Sequence, residues 1–467
     1  MCKCLSEKNS NNQAIRQSSN SIPTALKANI ITLGCSKNTV DSENIAGHLT
    51  QAGIQVHFDR TQNDCEVAII NTCGFIGDAK EESIDCILQQ ARQKANYNRR
   101  HHSDGRHRLL IASGCLIERY RDELTKEIPE VDAWFGVHEW GQLIDTVLQF
   151  KSQATRHNAQ PFTAQRVLST PRHYAYIKIA EGCNRSCSYC AIPLIRGKHV
   201  SRPVEDILHE AQTLVNNGIK ELILIAQDTT YYGLDLYGRR RLGELLELLA
   251  TQSGAEWIRL HYTYPTSFPL DAIEAMKRHS NICNYIDIPL QHINSRILSS
   301  MQRGIDREGT LQLLQHFRTA LPDVSIRTTL IVGYPGETEA EFEELKQFVS
   351  QARFDRMGCF PYSPEENTPA ETLGDPVPEE EKQRRVDGLM AIQQQISLEK
   401  NEARVGQIYR VLIDRREGDY YIARTEYDSP DIDDEVLIPA THRLATGTFH
   451  RVRITQALEH DLMAELV

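Results

Sequence analysis

Ala180-Glu181-Gly182-Cys183-Asn184-Arg185-Ser186-Cys187-Ser188-Tyr189-Cys190-Ala191-Ile192-Pro193 carries three cysteines at C-x3-C-x2-C spacing on one short loop. The run before it, Tyr174 to Ile179, alternates in the manner of a strand. Three thiolates on such a loop hold three corners of a cubane iron–sulfur cluster and leave its fourth iron open. Zinc would ask for four ligands, usually as two short pairs. An open iron is useful only if a substrate or cofactor binds there. Buried or incidental cysteines are the plainer reading of the same residues.

Outward from this loop, strand-like runs alternate with helical stretches. The strands are Tyr174–Ile179, Glu221–Ala226, Trp257–Tyr262, Tyr285–Ile288, Ile326–Val332 and Arg356–Pro361. Amphipathic segments at Val204–Asn217, Leu242–Ala250, Asp306–Ala320 and Thr338–Gln351 separate them. Six βα units fall short of the eight of a closed barrel, so an open partial barrel over 173–400 is expected. Chemistry in such barrels collects at the carboxyl ends of the strands, and the cysteine loop follows the first strand. Pro378 beside Glu379, Glu380 and Glu381 opens a long helix to Ala403 that leads out of this domain.

Upstream, Ala28–Cys35, Val67–Cys73 and Leu109–Cys115 are continuous apolar runs, each closing on a cysteine. Runs of this kind suit strands buried on both faces. Helical spacing at Asp41–Ala52 and Ala79–Lys94 lies between them, the βαβ order of an open parallel sheet over 28–150. Such sheets bind ligands at the carboxyl ends of their strands. Three cysteines in equivalent positions predict a second cluster held by Cys35, Cys73 and Cys115, with structural burial as the alternative. Cys65 and Cys86 lie off the pattern and read as core or surface residues, as do Cys283 and Cys359. Asn96–Arg108 reads as an exposed loop whose His101, His102 and His107 are weak metal candidates.

The chain has 467 residues, 40% hydrophobic and 25% charged, which predicts two to four globular domains. No run is long enough to span a bilayer. Residues 1–27 read as a disordered polar tail, neither signal peptide nor anchor, with Cys2 and Cys4 incidental. Twelve cysteines without export signals fit a reducing cytoplasm. A net charge of −11 disfavours a generic phosphate-backbone binder. Residues 151–172 read as a linker, and 401–467 hold short alternating runs divided by turns, a small β-barrel. That last segment has eight Arg, no Lys and thirteen Asp or Glu, so 8 − 13 gives −5. Asp428, Asp431, Asp433, Asp434 and Glu435 crowd one stretch of it. Direct RNA binding through this domain is not expected, and the stretch reads as a recruiting surface for a strongly basic protein. A solvated acidic loop is the blander alternative.

The loop resembles that of the radical S-adenosylmethionine enzymes, and Ala-Glu-Gly-Cys-Asn with Cys-Ala-Ile-Pro-Leu-Ile-Arg-Gly resembles their methylthiotransferase branch. Gly34–Glu43 and Asn71–Ile76 are similar to the amino-terminal domain of that branch, and Arg424–Asp433 to the TRAM-like barrel of its ribosomal-protein members. The resemblance implies two [4Fe-4S] clusters and S-adenosylmethionine. Cys183, Cys187 and Cys190 would hold the radical-generating cluster; the auxiliary cluster on Cys35, Cys73 and Cys115 would carry the sulfur to be inserted. One S-adenosylmethionine would methylate that sulfur, and reductive cleavage of a second would yield the radical that takes hydrogen from an unactivated carbon. Strand-end residues Gln227, Asp228, Gln291, Gly333 and Gly336 are candidate cofactor contacts, with glycines letting backbone approach the nucleoside. Arg327 and Arg196 are candidates for a carboxylate of cofactor or substrate.

For the substrate, the resemblance implies the β-carbon of an aspartate in protein twelve of the small ribosomal subunit, free or on the ribosome. An external electron donor would feed the chemistry. The alternatives are a transfer-RNA adenosine (i6A or t6A) methylthiotransferase and a non-catalytic iron–sulfur scaffold or electron carrier.

Overall fold

The computed structural model describes residues 25–60, 64–154 and 166–467. Residues 1–24, with Cys2 and Cys4, and residues 155–165 of the expected linker lie outside the described residues.

The three apolar runs form parallel strands Lys27–Thr32, Val67–Thr72 and Leu109–Gly114, the last two buried along their whole length. Two edge strands that the sequence did not suggest, Gln55–Phe58 and Ala133–Phe135, complete a five-stranded parallel sheet. Both are short, four and three residues, and only partly buried, so neither stands out as a strand in the sequence. Helices Ser36–Gln51, Gly77–Arg100, Cys115–Glu127 and Trp140–Ala154 cover the faces. Cys35 caps the first and Cys115 begins the third, which puts the cysteines where strand turns into helix.

Asn96–Arg108 is the expected exposed loop only over residues 102–107. The second helix continues through Arg100, a short turn occupies His102–Asp104, and Arg108 is fully buried, donating to the Cys65 carbonyl at 2.8 Å. His101 stacks on Tyr97 and His107 meets Phe150 edge-on, so these rings pack instead of converging.

In the central domain all six expected strands are present, running in chain order as Tyr174–Lys178, Glu221–Ile225, Trp257–Leu260, Tyr285–Asp287, Ser325–Val332 and Arg356–Pro361. Two parallel triplets meet through a bridge between Ile258 and Ile282, giving an open partial barrel. Alternation decides what each face does. Ala175, Ile177, Leu222, Leu224, Ile258, Leu260, Ile326 and Leu330 join the largest apolar core, beneath the surrounding helices. The other face carries Tyr176, Glu221, Arg259, Tyr285, Arg327 and Arg356, an unusually polar lumen in which Glu221 and Arg259 are wholly buried. Helix Glu379–Arg404 packs on the last strand and leads to the carboxyl-terminal domain.

That domain is a closed barrel of Ile408–Glu417, Tyr420–Thr425, Val436–Pro439, Leu462–Leu466 and Phe449–Ala457. The strand Leu462–Leu466 was not expected; it pairs parallel with Val436–Pro439 and antiparallel with Phe449–Ala457.

The acidic stretch differs most from expectation, because Asp428, Asp433 and Asp434 are spent inside the molecule, while Asp431 stays exposed and Glu435 pairs with Arg415 of the same barrel. Asp428 and Asp434 both pair with Arg356, Asp433 accepts from Tyr285 Oη at 2.7 Å and pairs with Arg327, and Asp431 accepts from Tyr174 Oη at 2.9 Å. Ser429 meets His261 at 2.8 Å, and Glu221 is shared by Arg259 and Arg424. This loop therefore closes the polar lumen of the partial barrel. The stretch is negative as its charge count implies, and arginines of the central domain face Asp428, Asp433 and Asp434. Removing one member of such a buried pair costs about 3–5 kcal/mol by stranding the other charge.

Candidate functional site

The cysteine loop leaves the first central strand through a small hairpin, Ala180–Glu181 against Val200–Ser201. Hydrogen bonds from Cys183 N–H to the Gly197 carbonyl and from Cys190 N–H to the Cys187 carbonyl, each 3.1 Å, fold it back on itself. Donors surround the sulfurs. Arg185 N–H reaches Cys183 Sγ at 3.4 Å, Arg303 Nη1 reaches Cys187 Sγ at 3.4 Å, and Tyr264 Oη lies 3.3 Å from the same sulfur. The Tyr264 ring is held between the Arg185 and Arg303 guanidinium groups, 4.0 and 4.2 Å from its centre. Burial pushes the Cys183 thiol up to about 11, and burial with the neighbouring Cys187 pushes Cys190 up to about 12. Without metal these two thiols stay protonated at neutral pH, and ligation must displace their protons.

The second trio is assembled by the sheet. Gly34 takes φ +87°, a conformation that favours glycine, and a Cβ there would stand 2.7 Å from Cys73 Cβ and Sγ. Burial raises the Cys73 thiol, opposed by the backbone N–H groups of Phe75 and Gly74. Cys115 is raised to about 11 by burial, against the pull of Arg196. Soft sulfur donors ringed by N–H groups are what an iron–sulfur cluster asks of its protein. No three His, Cys, Asp or Glu side chains among the described residues close around a single-ion position; a cubane instead takes each thiolate on its own iron.

The two trios meet across one interface. Cys115 packs with Ala191 and Ile195, the residues that follow Cys190. Arg196, buried at the end of the short helix Ile192–Arg196, puts Nη2 3.3 Å from Cys115 Sγ and donates from it to Asn38 Oδ1 at 2.5 Å. Its Nη1 pairs with Asp41 at 2.7 Å and with Glu181 at 3.4 Å, and Lys178 joins the same two carboxylates. Burial alone would raise Glu181, yet Lys178 and Arg196 outweigh it and hold the carboxyl at about 2. Asn38 completes the link, donating to the carbonyls of Leu33 and Thr72 beside Cys35 and Cys73.

The other strand-end candidates divide into occupied and open groups. Asp228 already holds Arg185 and Thr230, and Arg327 holds Asp287 and Asp433. Gln227 donates to Glu181 while its Oε1 is buried without a partner, and Gln291, at φ +74°, likewise leaves Oε1 unpartnered. These orphaned acceptors, at the ends of the second and fourth central strands, are what a bound amino group would satisfy. Gly333 N–H donates to Glu337, and Gly336 offers its carbonyl to Arg296. Sequence reasoning missed Arg303, Tyr264, Asn38, Asp41 and Lys178. Each reaches the site through a tertiary contact with no local spacing to announce it.

Residues 27–136 match the Uncharacterized protein family UPF0004, residues 177–349 the Radical SAM superfamily and residues 405–467 the TRAM domain. Ribosomal protein uS12 methylthiotransferase RimO of Flavobacterium johnsoniae is 53% identical over 442 residues, covering 94% of this chain and 98% of that one. The proteins of the same name from Christiangramia forsetii and Phocaeicola vulgatus are 50% and 49% identical over 441 residues, covering 94% of this chain and 94% and 98% of theirs. Among solved structures, the radical S-adenosylmethionine methyltransferase TsrM of Kitasatospora setae superposes with a TM-score of 0.51 at 12% identity, covering 85% of this chain and 80% of that one, a likeness of fold alone. With three domain models matched in order and relatives at about half identity along nearly the whole of both chains, the chain belongs to the ribosomal protein uS12 methylthiotransferase family, RimO.

Proposed function

We propose that this chain adds a methylthio group to the β-carbon of an aspartate in ribosomal protein uS12, using one [4Fe-4S] cluster on Cys183, Cys187 and Cys190 and a second on Cys35, Cys73 and Cys115. When bound, the first cluster with S-adenosylmethionine supplies a radical able to take hydrogen from an unactivated carbon, and the second supplies sulfur. General-base chemistry has no usable proton to remove there.

The protein's part is to hold and screen these groups. Arg185, Arg303 and Tyr264 surround the sulfurs of Cys183 and Cys187 with donors and positive charge. Gln227 and Gln291 would offer buried acceptors to the cofactor, and the backbone around Gly333 and Gly336 would face its nucleoside. Arg196 is the observation that carries the reading. One guanidinium next to the radical loop touches Cys115 and Asn38 of the other domain, so the two trios share a single interface. Two independent electron-carrier sites would have no need of that connection. The setting is the cytoplasm, with an external electron donor and uS12 free or on the ribosome.

The test is an anaerobic reaction of reconstituted protein with S-adenosylmethionine and dithionite, with uS12 and bulk transfer RNA as separate substrates. Release of 5′-deoxyadenosine together with a methylthio group on uS12 is expected. A mark on RNA alone would overturn the substrate, and no 5′-deoxyadenosine would favour a non-catalytic carrier.

A further inference from the structure

Lys37 follows Cys35 by two residues, in the first turn of helix Ser36–Gln51, and only 6% of it is exposed. Its Nζ lies 2.7 Å from the centre of the Tyr262 ring. Among the described residues no Asp or Glu lies within ion-pair distance of it. Its cationic neighbours differ: Lys178 and Arg196 hold Asp41 and Glu181, Arg185 holds Asp228, and Arg327 holds Asp287 and Asp433. An aromatic face returns only part of the hydration that a buried ammonium loses. Lys37 is thus a cation with its counter-ion missing.

Its place in the fold gives that gap a meaning. Tyr262 closes the third central strand with φ +57°, a strained conformation for a tyrosine, fixed by its N–H on Asp287 and by its carbonyl accepting from Thr229. Its hydroxyl lies 3.4 Å from Ser36 Oγ, and two residues further on Tyr264 touches Cys187. Lys37 therefore reaches from beside Cys35 to the strand end that also carries Tyr264. Strain tends to persist where surrounding contacts hold a group in position for function.

We infer that Lys37 receives the side-chain carboxylate of the substrate, so that the residue modified between the two trios is an acidic one; this rests on the uS12 reading above. The chemistry suits an aspartate. Its β-carbon is bonded directly to the carboxyl carbon, so anchoring the carboxylate by charge-assisted hydrogen bonds fixes the reacting carbon one bond away. A neutral modified adenine would leave the ammonium unmatched.

The test is equilibrium binding of full-length uS12, and of uS12 with its target aspartate changed to asparagine, to the cluster-loaded enzyme. The wild type is expected to bind the aspartate form about tenfold or more tighter, as for a desolvated ion pair. Lys37→Met is expected to erase the preference, and Lys37→Arg to keep most of it. Iron content per chain reports folding, and Lys37→Gln gives the same comparison if the methionine variant does not accumulate. Equal binding of both uS12 forms by wild type, or a preference that survives Lys37→Met, would overturn the assignment of Lys37 alone. Failure of both forms to bind would overturn the substrate reading itself, and Lys37 with it.

Discussion

Cys183, Cys187 and Cys190 share one loop, whereas Cys35, Cys73 and Cys115 come from three strand ends that only the folded sheet brings together. The first trio is brought together by one short loop, which hydrogen bonds of its own hairpin and contacts from Met301, Tyr334 and Arg303 hold in place. The second depends on strand register, on the absence of a side chain at Gly34, and on Asn38 tying two carbonyls to the partner domain. A locally built site tolerates disturbance elsewhere, while one built by tertiary contacts inherits the stability of everything that positions it.

The sharpest way to separate the two is to delete one sulfur from each. Cys187→Ala is expected to reduce 5′-deoxyadenosine release to background, whereas Cys73→Ala is expected to spare that release and block methylthiolation, both read by mass spectrometry. Sulfur delivery over repeated turnovers by the Cys73 variant would contradict the division of labour.

Arg196→Met attacks the join between them. It strands Asp41 and Glu181 beside Lys178 alone, and a loss of about 3–5 kcal/mol is expected in chemical denaturation. A change below about 1 kcal/mol would mean that the interface is as weak as an exposed ion pair.

Gly34→Ala is a gentler probe of the dispersed trio alone. The added Cβ meets Cys73 and must take a left-handed conformation, so about 1–3 kcal/mol is expected, with iron lost from the auxiliary site only. Equal iron loss from both sites would erase the contrast.

At the opposite end of the partial barrel, Asp428 and Asp434 share Arg356, and burial raises the Asp434 carboxyl to about 6 despite that arginine. The folded chain keeps this proton where the unfolded chain releases it, so the contribution to stability falls as pH rises from about 4 to about 6 and is level above. Asp434→Asn is expected to remove that fall, gaining about 1–2 kcal/mol relative to wild type between pH 4 and pH 7 in denaturation midpoints. A difference that does not change with pH would contradict it.

The contrast between the trios also explains what the sequence disclosed. Cys183, Cys187 and Cys190 were legible because their spacing is local. Cys35, Cys73 and Cys115 were legible because each closes a continuous apolar run. All six central strands were legible as short runs in which apolar residues recur between helical stretches. The edge strands Gln55–Phe58 and Ala133–Phe135 and the last strand Leu462–Leu466, at four, three and five residues, are too short to stand out. Arg303, Asn38 and Lys37 meet partners far along the chain, which no local spacing announces. The acidic stretch misled because composition records charge but not which charge faces it, and its facing residues are Arg327 and Arg356.

Iron per chain in anaerobically reconstituted wild type, Cys187→Ala and Cys73→Ala tests most directly whether each trio holds its own cluster. The account expects about eight irons in wild type and about four in either variant. Four in wild type, or an undiminished count in the Cys73 variant, would contradict it.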